Sequence, residues 1–235
     1  MSLYSDILKN DIRLIFRDKS LMVMFIIPVA IVAFCRLGIP PVAKLFPVLE
    51  SYYWLIVSSF MAVAASTPSY IMGFILMDER DENVAVLLRI LPLPNNFILK
   101  IRTVLIVLLS YFFSFIILLF NGLVHLEFFI LISLPLLFAL IPVVLTFAIS
   151  AFAKNKIEAA AMYKGLNTFL ILPVVAFFIP GILKYAFGII PFFWTFNAFS
   201  VINEVQLYSM NFIISVFMHL LLARILYKIY VKKTD

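Results

Sequence analysis

From Phe128 to Phe152 the chain reads FFILISLPLLFALIPVVLTFAISAF, without one charged side chain. Few folds accept such a run: a helix needs about 20 predominantly apolar residues to cross the roughly 30 Å hydrocarbon layer of a bilayer. Five further stretches are predominantly apolar over a similar length: Leu21 to Ile39, Tyr53 to Met77, Ile98 to Gly122, Tyr163 to Leu183 and Asn211 to Tyr230. Hydrophobic residues make up 65% of the 235 and charged residues 13%, whereas a soluble domain has about 25% charged residues. Side chains apolar on every face suit helices that satisfy their own backbone, not the alternating strands of an outer-membrane barrel. The expected fold is an all-α polytopic membrane protein, one transmembrane domain over residues 1–235 with six transmembrane helices.

Cytoplasmic connections accumulate Lys and Arg, which gives the six spans a direction. Of the 18 basic residues, all but Arg36, Lys44 and Lys184 fall before the first span, between spans two and three, between spans four and five, or at the end of the chain. Both termini are therefore expected in the cytoplasm. The net charge of +6 follows from this bias and is no argument for nucleic acid. The N-terminal MSLYSDILKNDIRLIFRDKS lacks the basic, apolar and small-residue order of a cleaved leader, so the first span is expected to act as the insertion signal. High Ile, Phe and Asn usage points to an AT-rich bacterial genome. The expected location is the bacterial plasma membrane.

Charge outside the spans concentrates in a few segments. In residues 1–20, Tyr4, Ile7, Leu8, Ile12 and Ile15 recur at helical spacing, as in a helix lying in the membrane surface; a simple positive flank is the alternative. Residues 78–96 open on Asp78, Glu79, Arg80, Asp81 and Glu82. There Val84, Leu87, Leu88 and Leu91 would share one face of a short helix, with the acidic residues in its first turn, where the dipole favours them. Pro92 and Pro94 would stop it. A solvated loop is the alternative. Residues 153–164 combine Lys154, Lys156, Glu158 and Lys164 with an Ala-rich, helix-prone centre, a second docking loop or an ordinary turn. Residues 184–210 are too apolar for a loop yet broken by Gly188 and Pro191, so they form either a re-entrant segment or an interfacial one anchored by Trp194. Pro28, Pro68, Pro142 and Pro173 fall within apolar spans, either as kinks that allow packing around a cavity and serve motion or simply because proline is commoner in membrane helices than in soluble ones.

Several chemistries are missing. Cys35 is the sole cysteine, so no intrachain disulfide forms, and His125 and His219 belong to no metal or proton-relay pattern. No G-x-x-x-x-G-K-[ST], G-x-S-x-G or H-E-x-x-H occurs. No catalytic, metal or cofactor residues are assigned, and the chain is not expected to be an enzyme.

Three stretches, Asn10 to Arg36 (NDIRLIFRDKSLMVMFIIPVAIVAFCR), Asp78 to Arg102 (DERDENVAVLLRILPLPNNFILKIR) and Asn155 to Pro180 (NKIEAAAMYKGLNTFLILPVVAFFIP), resemble the permease subunit of an ABC-2 type transporter. They are most similar to the small six-span permeases of drug and antimicrobial-peptide exporters. The resemblance implies a cytoplasmic elbow helix with Asp11, Arg13, Arg17 and Asp18, and a coupling helix at 78–96 with Asp78, Glu79, Arg80, Asp81, Glu82, Leu87 and Leu88. It also implies a second docking loop with Lys156 and Glu158, and a broken extracellular segment before the last span. Apart from the resemblance, Pro28, Pro68 and Pro173 are the candidate pathway or kink positions. It further implies a second permease, alike or related, and two copies of a separate ATPase subunit that bind ATP and Mg. On this reading the chain exports a hydrophobic or amphipathic drug, antibiotic or peptide. The rival readings are an ATP-independent secondary transporter or channel, and a membrane-embedded enzyme or scaffold.

Overall fold

The structure, a computed structural model, describes Arg13, Phe16, Arg17, Met22 and residues 25–82 and 97–234. Most of the elbow, Asp11 and Asp18 included, and the coupling stretch from 83 to 96, Leu87 and Leu88 included, lie outside the described residues. Arg13 and Arg17 are helical and exposed.

Six helical stretches among the described residues are long and apolar enough to cross a membrane. The first, α1 (Ile26–Leu45), runs beyond the expected Ile39 and is wound as a π-helix over Phe34–Gly38. That widening stands just ahead of Pro40 and Pro41, whose missing amides leave the carbonyls of Arg36 and Leu37 without their α-helical donors. A 3-10 turn, Pro47–Tyr52, leads into α2 (Tyr53–Asp81). The remaining helices are α3 (Phe97–Phe120), α4 (Phe128–Phe138), α5 (Ile141–Phe152), α6 (Lys156–Ile171), α7 (Pro191–Ser200) and α8 (Val205–Thr234). The fourth span is thus two helices, α4 and α5, broken at Ala139 and Leu140 just before Pro142. The fifth continues past α6 as a 3-10 segment, Leu172–Phe178, with Pro173 as its second residue.

The centre of the bundle is α2. It packs against α3, α5, α6 and α7, while α8 lies along α5 and α7. Of its most apolar 18 residues 83% are buried, against 17% for the fifth span. The interior of α2 explains this, because Ala62, Ala64, Ala65, Ser66 and Ser69, all buried, let neighbouring backbones approach. Pro68 removes the amide that would bond the Ala64 carbonyl. The Thr67 hydroxyl takes that carbonyl instead, at 2.8 Å, and the helix passes through without interruption.

Residues 184–210 are not one surface segment. The 3-10 turn Gly181–Ile189 is largely exposed, whereas α7 is buried except at Trp194 and Ser200 and packs against α2, α4 and α8. Buried amides and hydroxyls join α7 to α8: the Asn197 Nδ2 donates to Asn211 Oδ1 at 2.7 Å, and Thr195 and Ser215 hydroxyls meet at 2.9 Å. Leaving one such buried group unpaired costs more than removing both. Asn197→Leu is therefore expected to lower stability by about 1–2 kcal/mol. The double variant Asn197→Leu, Asn211→Leu should recover part of that loss in thermal unfolding of the detergent-solubilised chain; a double variant weaker than either single one would contradict this account.

Candidate functional site

At one end of the bundle α2 terminates, α3 and α6 begin, and α5 and α8 end. Four of the five charged residues that open the 78–96 stretch lie in the last turn of α2, not in the first turn of a separate helix as the sequence pattern suggested. The reason is local. No Gly or Pro stands between Met77 and Asp81, and Leu, Met, Glu and Arg are good helix formers, so the span simply continues. Asp78, Glu79 and Asp81 then sit at the negative end of the helix dipole, where carboxylates are disfavoured. Cations from other helices answer the first two.

Arg102 of α3 grips Glu79 with both terminal nitrogens, Nη1 to Oε2 at 2.7 Å and Nη2 to Oε1 at 2.6 Å. The pair is well enclosed, with 4% of the Arg102 side chain and 16% of the Glu79 side chain exposed. Lys156, the first residue of α6, donates to Asp78 Oδ2 at 2.9 Å and lies over the Phe74 ring. Arg80 donates to the Ala153 carbonyl at 2.6 Å, and Lys233 of α8 to the Ala151 carbonyl at 2.7 Å. These two cations cap the C-terminal carbonyls of α5, where positive charge is favoured.

The cluster expected to plug into a partner is thus divided. Asp78, Glu79 and Arg80 are half-buried and tie α2 to α6, α3 and α5. Asp81 and Glu82 are exposed, and their carboxylates have no partner among the described residues. The second docking loop contracts in the same way: only Ala153 to Asn155 separate α5 from α6, and Lys156 to Lys164 belong to the helix. Asn155 caps α6 by accepting from the Glu158 amide at 2.9 Å, and Glu158 accepts from the Lys154 amide at 2.9 Å. This reciprocal cap occupies the carboxylate that the sequence offered for docking.

Farther along α6 the polar groups face two ways. Inward, Asn167 accepts from the Ser66 hydroxyl of α2 at 2.6 Å, with the Tyr163 hydroxyl 3.3 Å from the same oxygen. Outward, Ala161, Lys164, Gly165 and Thr168 form one exposed face, and a Cβ added at Gly165 would touch nothing. Pro68 and Pro173 are buried on α2 and in the 3-10 continuation of the fifth span, and Pro28 is buried in α1. His219 of α8 is buried; its Nδ1 lies 2.8 Å from the Ser215 carbonyl, and its Nε2 has no protein partner among the described residues. No group of three or more His, Cys, Asp or Glu that could hold a metal occurs among them.

Two features escaped the sequence reading: the Glu79–Arg102 clasp and the Ser66–Asn167 seam. Each joins residues far apart in the chain, and the only signal was a polar residue stranded in or beside an apolar run.

Comparison with known proteins gives a consistent result. The family model described as fluoroquinolones export permease protein Rv2686c-like matches residues 11–227. Two Mycobacterium tuberculosis proteins, the fluoroquinolones export permease proteins MT2760 (strain CDC 1551 / Oshkosh) and Rv2686c (strain ATCC 25618 / H37Rv), are each 29% identical over 208 residues, covering 83% of this chain and 81% of the relative. No solved structure matches the chain.

Removing one member of an enclosed ion pair strands the other. Glu79→Lys should therefore destabilise the chain by about 3 kcal/mol, measured as denaturation in detergent, and the exchange Glu79→Arg with Arg102→Glu should restore part of it. Asp81→Lys should change stability by no more than about 0.5 kcal/mol.

Proposed function

The chain belongs to the Rv2686c-like family of fluoroquinolones export permeases, and from that premise we propose that it is the membrane-spanning subunit of an ATP-driven exporter of amphipathic aromatic drugs. Membership, the six spans and the resemblance to ABC-2 permeases make it an export permease of the membrane. The ATP dependence, the partners and the cargo are the proposal. The chain has no phosphate-binding loop of the G-x-x-x-x-G-K-[ST] type, so hydrolysis falls to a separate ATPase, two copies of which would serve a pair of permeases. The drug class is taken from the names of the relatives.

The observation that carries the mechanism is the division of the charged cluster. In the orientation set by the basic connections, the clustered end of α2 faces the cytoplasm. There Asp81 and Glu82, at the start of the 83–96 connection, are exposed and without a partner among the described residues, and would meet a basic patch on the ATPase. Immediately behind them, Glu79 holds α3 and Asp78 holds α6. A push on that connection moves α2, α3 and α6 as a unit, and the ATPase drives the change only by binding ATP more tightly in one arrangement than in the other.

The exposed face of α6 supports the pairing of two permeases. Lys164 lies about 12 Å along the helix from Lys156, and Thr168 a turn further. Polar groups at that depth are placed against protein or a water-filled path rather than lipid. The small Ala161 and Gly165 let a second helix come close. The drug path would run between the two α6 faces, and α7 would be the re-entrant helix closing its outer half.

Replacing Asp81 and Glu82 together by Lys is expected to lower drug export by tenfold or more without reducing membrane abundance or thermal stability. Export assayed in cells carrying the chain and its ATPase provides the check. Undiminished export from that variant would overturn the docking assignment, and export that continues without any ATPase would overturn the ATP-driven reading.

A further inference from the structure

A cavity of about 320 Å3 opens at the end of the bundle opposite the charged one. Three connections converge on it: Glu50, Tyr53 and Trp54 from the entry to α2, His125 from the connection between α3 and α4, and Phe199 and Asn203 from the end of α7. The proposed coupling at the charged end uses none of these residues.

Its wall is built in advance. Asn121, 1% exposed, donates to the Leu118 carbonyl at 2.6 Å and accepts from the amides of Leu123 and Val124 at 2.7 and 2.8 Å. Gly122 turns the chain there at φ 71, a conformation that suits glycine. Arg36 of α1 donates to the Phe120 carbonyl at 2.7 Å and packs along Gly122. On the floor, Trp54 meets Phe199 and Phe177 edge to face, with centroids 6.4 and 5.0 Å apart.

The lining chemistry is specific in sign. Among the described residues Glu50 is the carboxylate on the wall, exposed to an incoming ligand, and no Lys or Arg lines the cavity. A carboxylate in a cavity also lined by Trp and Tyr is what an organic ammonium seeks: the carboxylate answers the charge, and aromatic rings add to its attraction. The volume falls at the lower end of the range of about 300–1,000 Å3 for small-molecule sites.

We infer that this cavity is an amine subsite, in which Glu50 receives the protonated amine of an aromatic amphiphile while Trp54 and Tyr53 contact its ring system. The inference rests on the export reading, and in the proposed orientation it places the subsite on the outer side, where cargo is met on its way out. It makes Glu50 a specificity-determining residue: cargo with a positive amine is retained there, and cargo of the same shape without the charge is not.

Equilibrium dialysis against the purified full-length chain in nanodiscs tests this directly. The probes are a fluoroquinolone with a free piperazine nitrogen and its N-acetylated counterpart, which has lost the charge. The wild-type chain is expected to bind the free amine about tenfold more tightly than the acetylated form, the scale of one charge-assisted hydrogen bond. Glu50→Gln should abolish that preference and leave the acetylated probe bound as before, which also shows the cavity intact. A wild-type chain without the preference, or a Glu50→Gln chain that keeps it, would overturn the inference. Export in cells is read separately. Wild-type export together with a preference indifferent to Glu50 sinks the subsite alone. Lost preference in Glu50→Gln, with no export by the wild type under any energised condition, sinks the exporter reading and leaves the subsite standing.

Discussion

Lipid offers no hydrogen bonds, so every polar group that the chain carries into the bilayer must find its partner inside the protein. That constraint places α2 at the centre. Its serines and threonine are spent on local carbonyls or on neighbours: Thr67 replaces the amide lost at Pro68, Ser66 meets Asn167 of α6, and the Ala65 carbonyl accepts from Ser110 of α3 at 2.7 Å. The small residues around them bring α3, α5 and α6 within reach. With its polar groups satisfied inward, α2 leaves lipid contact mainly to α1, α3 and α8, whose large apolar side chains are exposed.

The same reasoning separates structure from docking at the charged end. Carboxylates at a helix C-terminus are unfavourable, so those retained there need either a cation or water. Glu79 and Asp78 have cations from α3 and α6, and they serve the fold. Asp81 and Glu82 are exposed and meet no cation among the described residues, and in the export reading they are left for a partner. A charged run read from sequence as one plug is therefore divided: Glu79 and Asp78 tie α2 to α3 and α6, and in the export reading the exposed Asp81 and Glu82 form the contact surface ahead of those ties. In the export reading, this arrangement connects hydrolysis on another subunit to movement in the membrane.

How much of this could be read from the residues depends on the range of the interaction. The spans were legible because lack of charge over about 20 residues has one explanation, and the break before Pro142 follows from the proline. The helix ends were less legible. Nothing in Met77 to Asp81 breaks a helix, so a boundary drawn where charge begins fell four residues short of the end of α2, at Met77 rather than Asp81. Pairings across the bundle could not be read at all: Glu79 finds Arg102 and Ser66 finds Asn167 only once the helices have packed. The outer cavity left one trace, the Asn121-Gly122 dipeptide, a turn signal that ends α3 at Phe120 and sets the cavity wall. Glu50 left no such trace, because the walls of its cavity are assembled from three separate connections.

In the export reading, an ATPase covers the exposed tip of α2 while the residues behind it are committed to the fold. Cys35 is the sole cysteine and is buried, so a Cys35→Ala, Asp81→Cys chain carries one reactive thiol at that tip. Its labelling by a membrane-impermeant maleimide, in inside-out and right-side-out vesicles and with and without the ATPase, measures that coverage. The account predicts labelling only from the cytoplasmic side, blocked when the ATPase is bound. Labelling from the opposite side, or at the same rate in the presence of a bound ATPase, would contradict it.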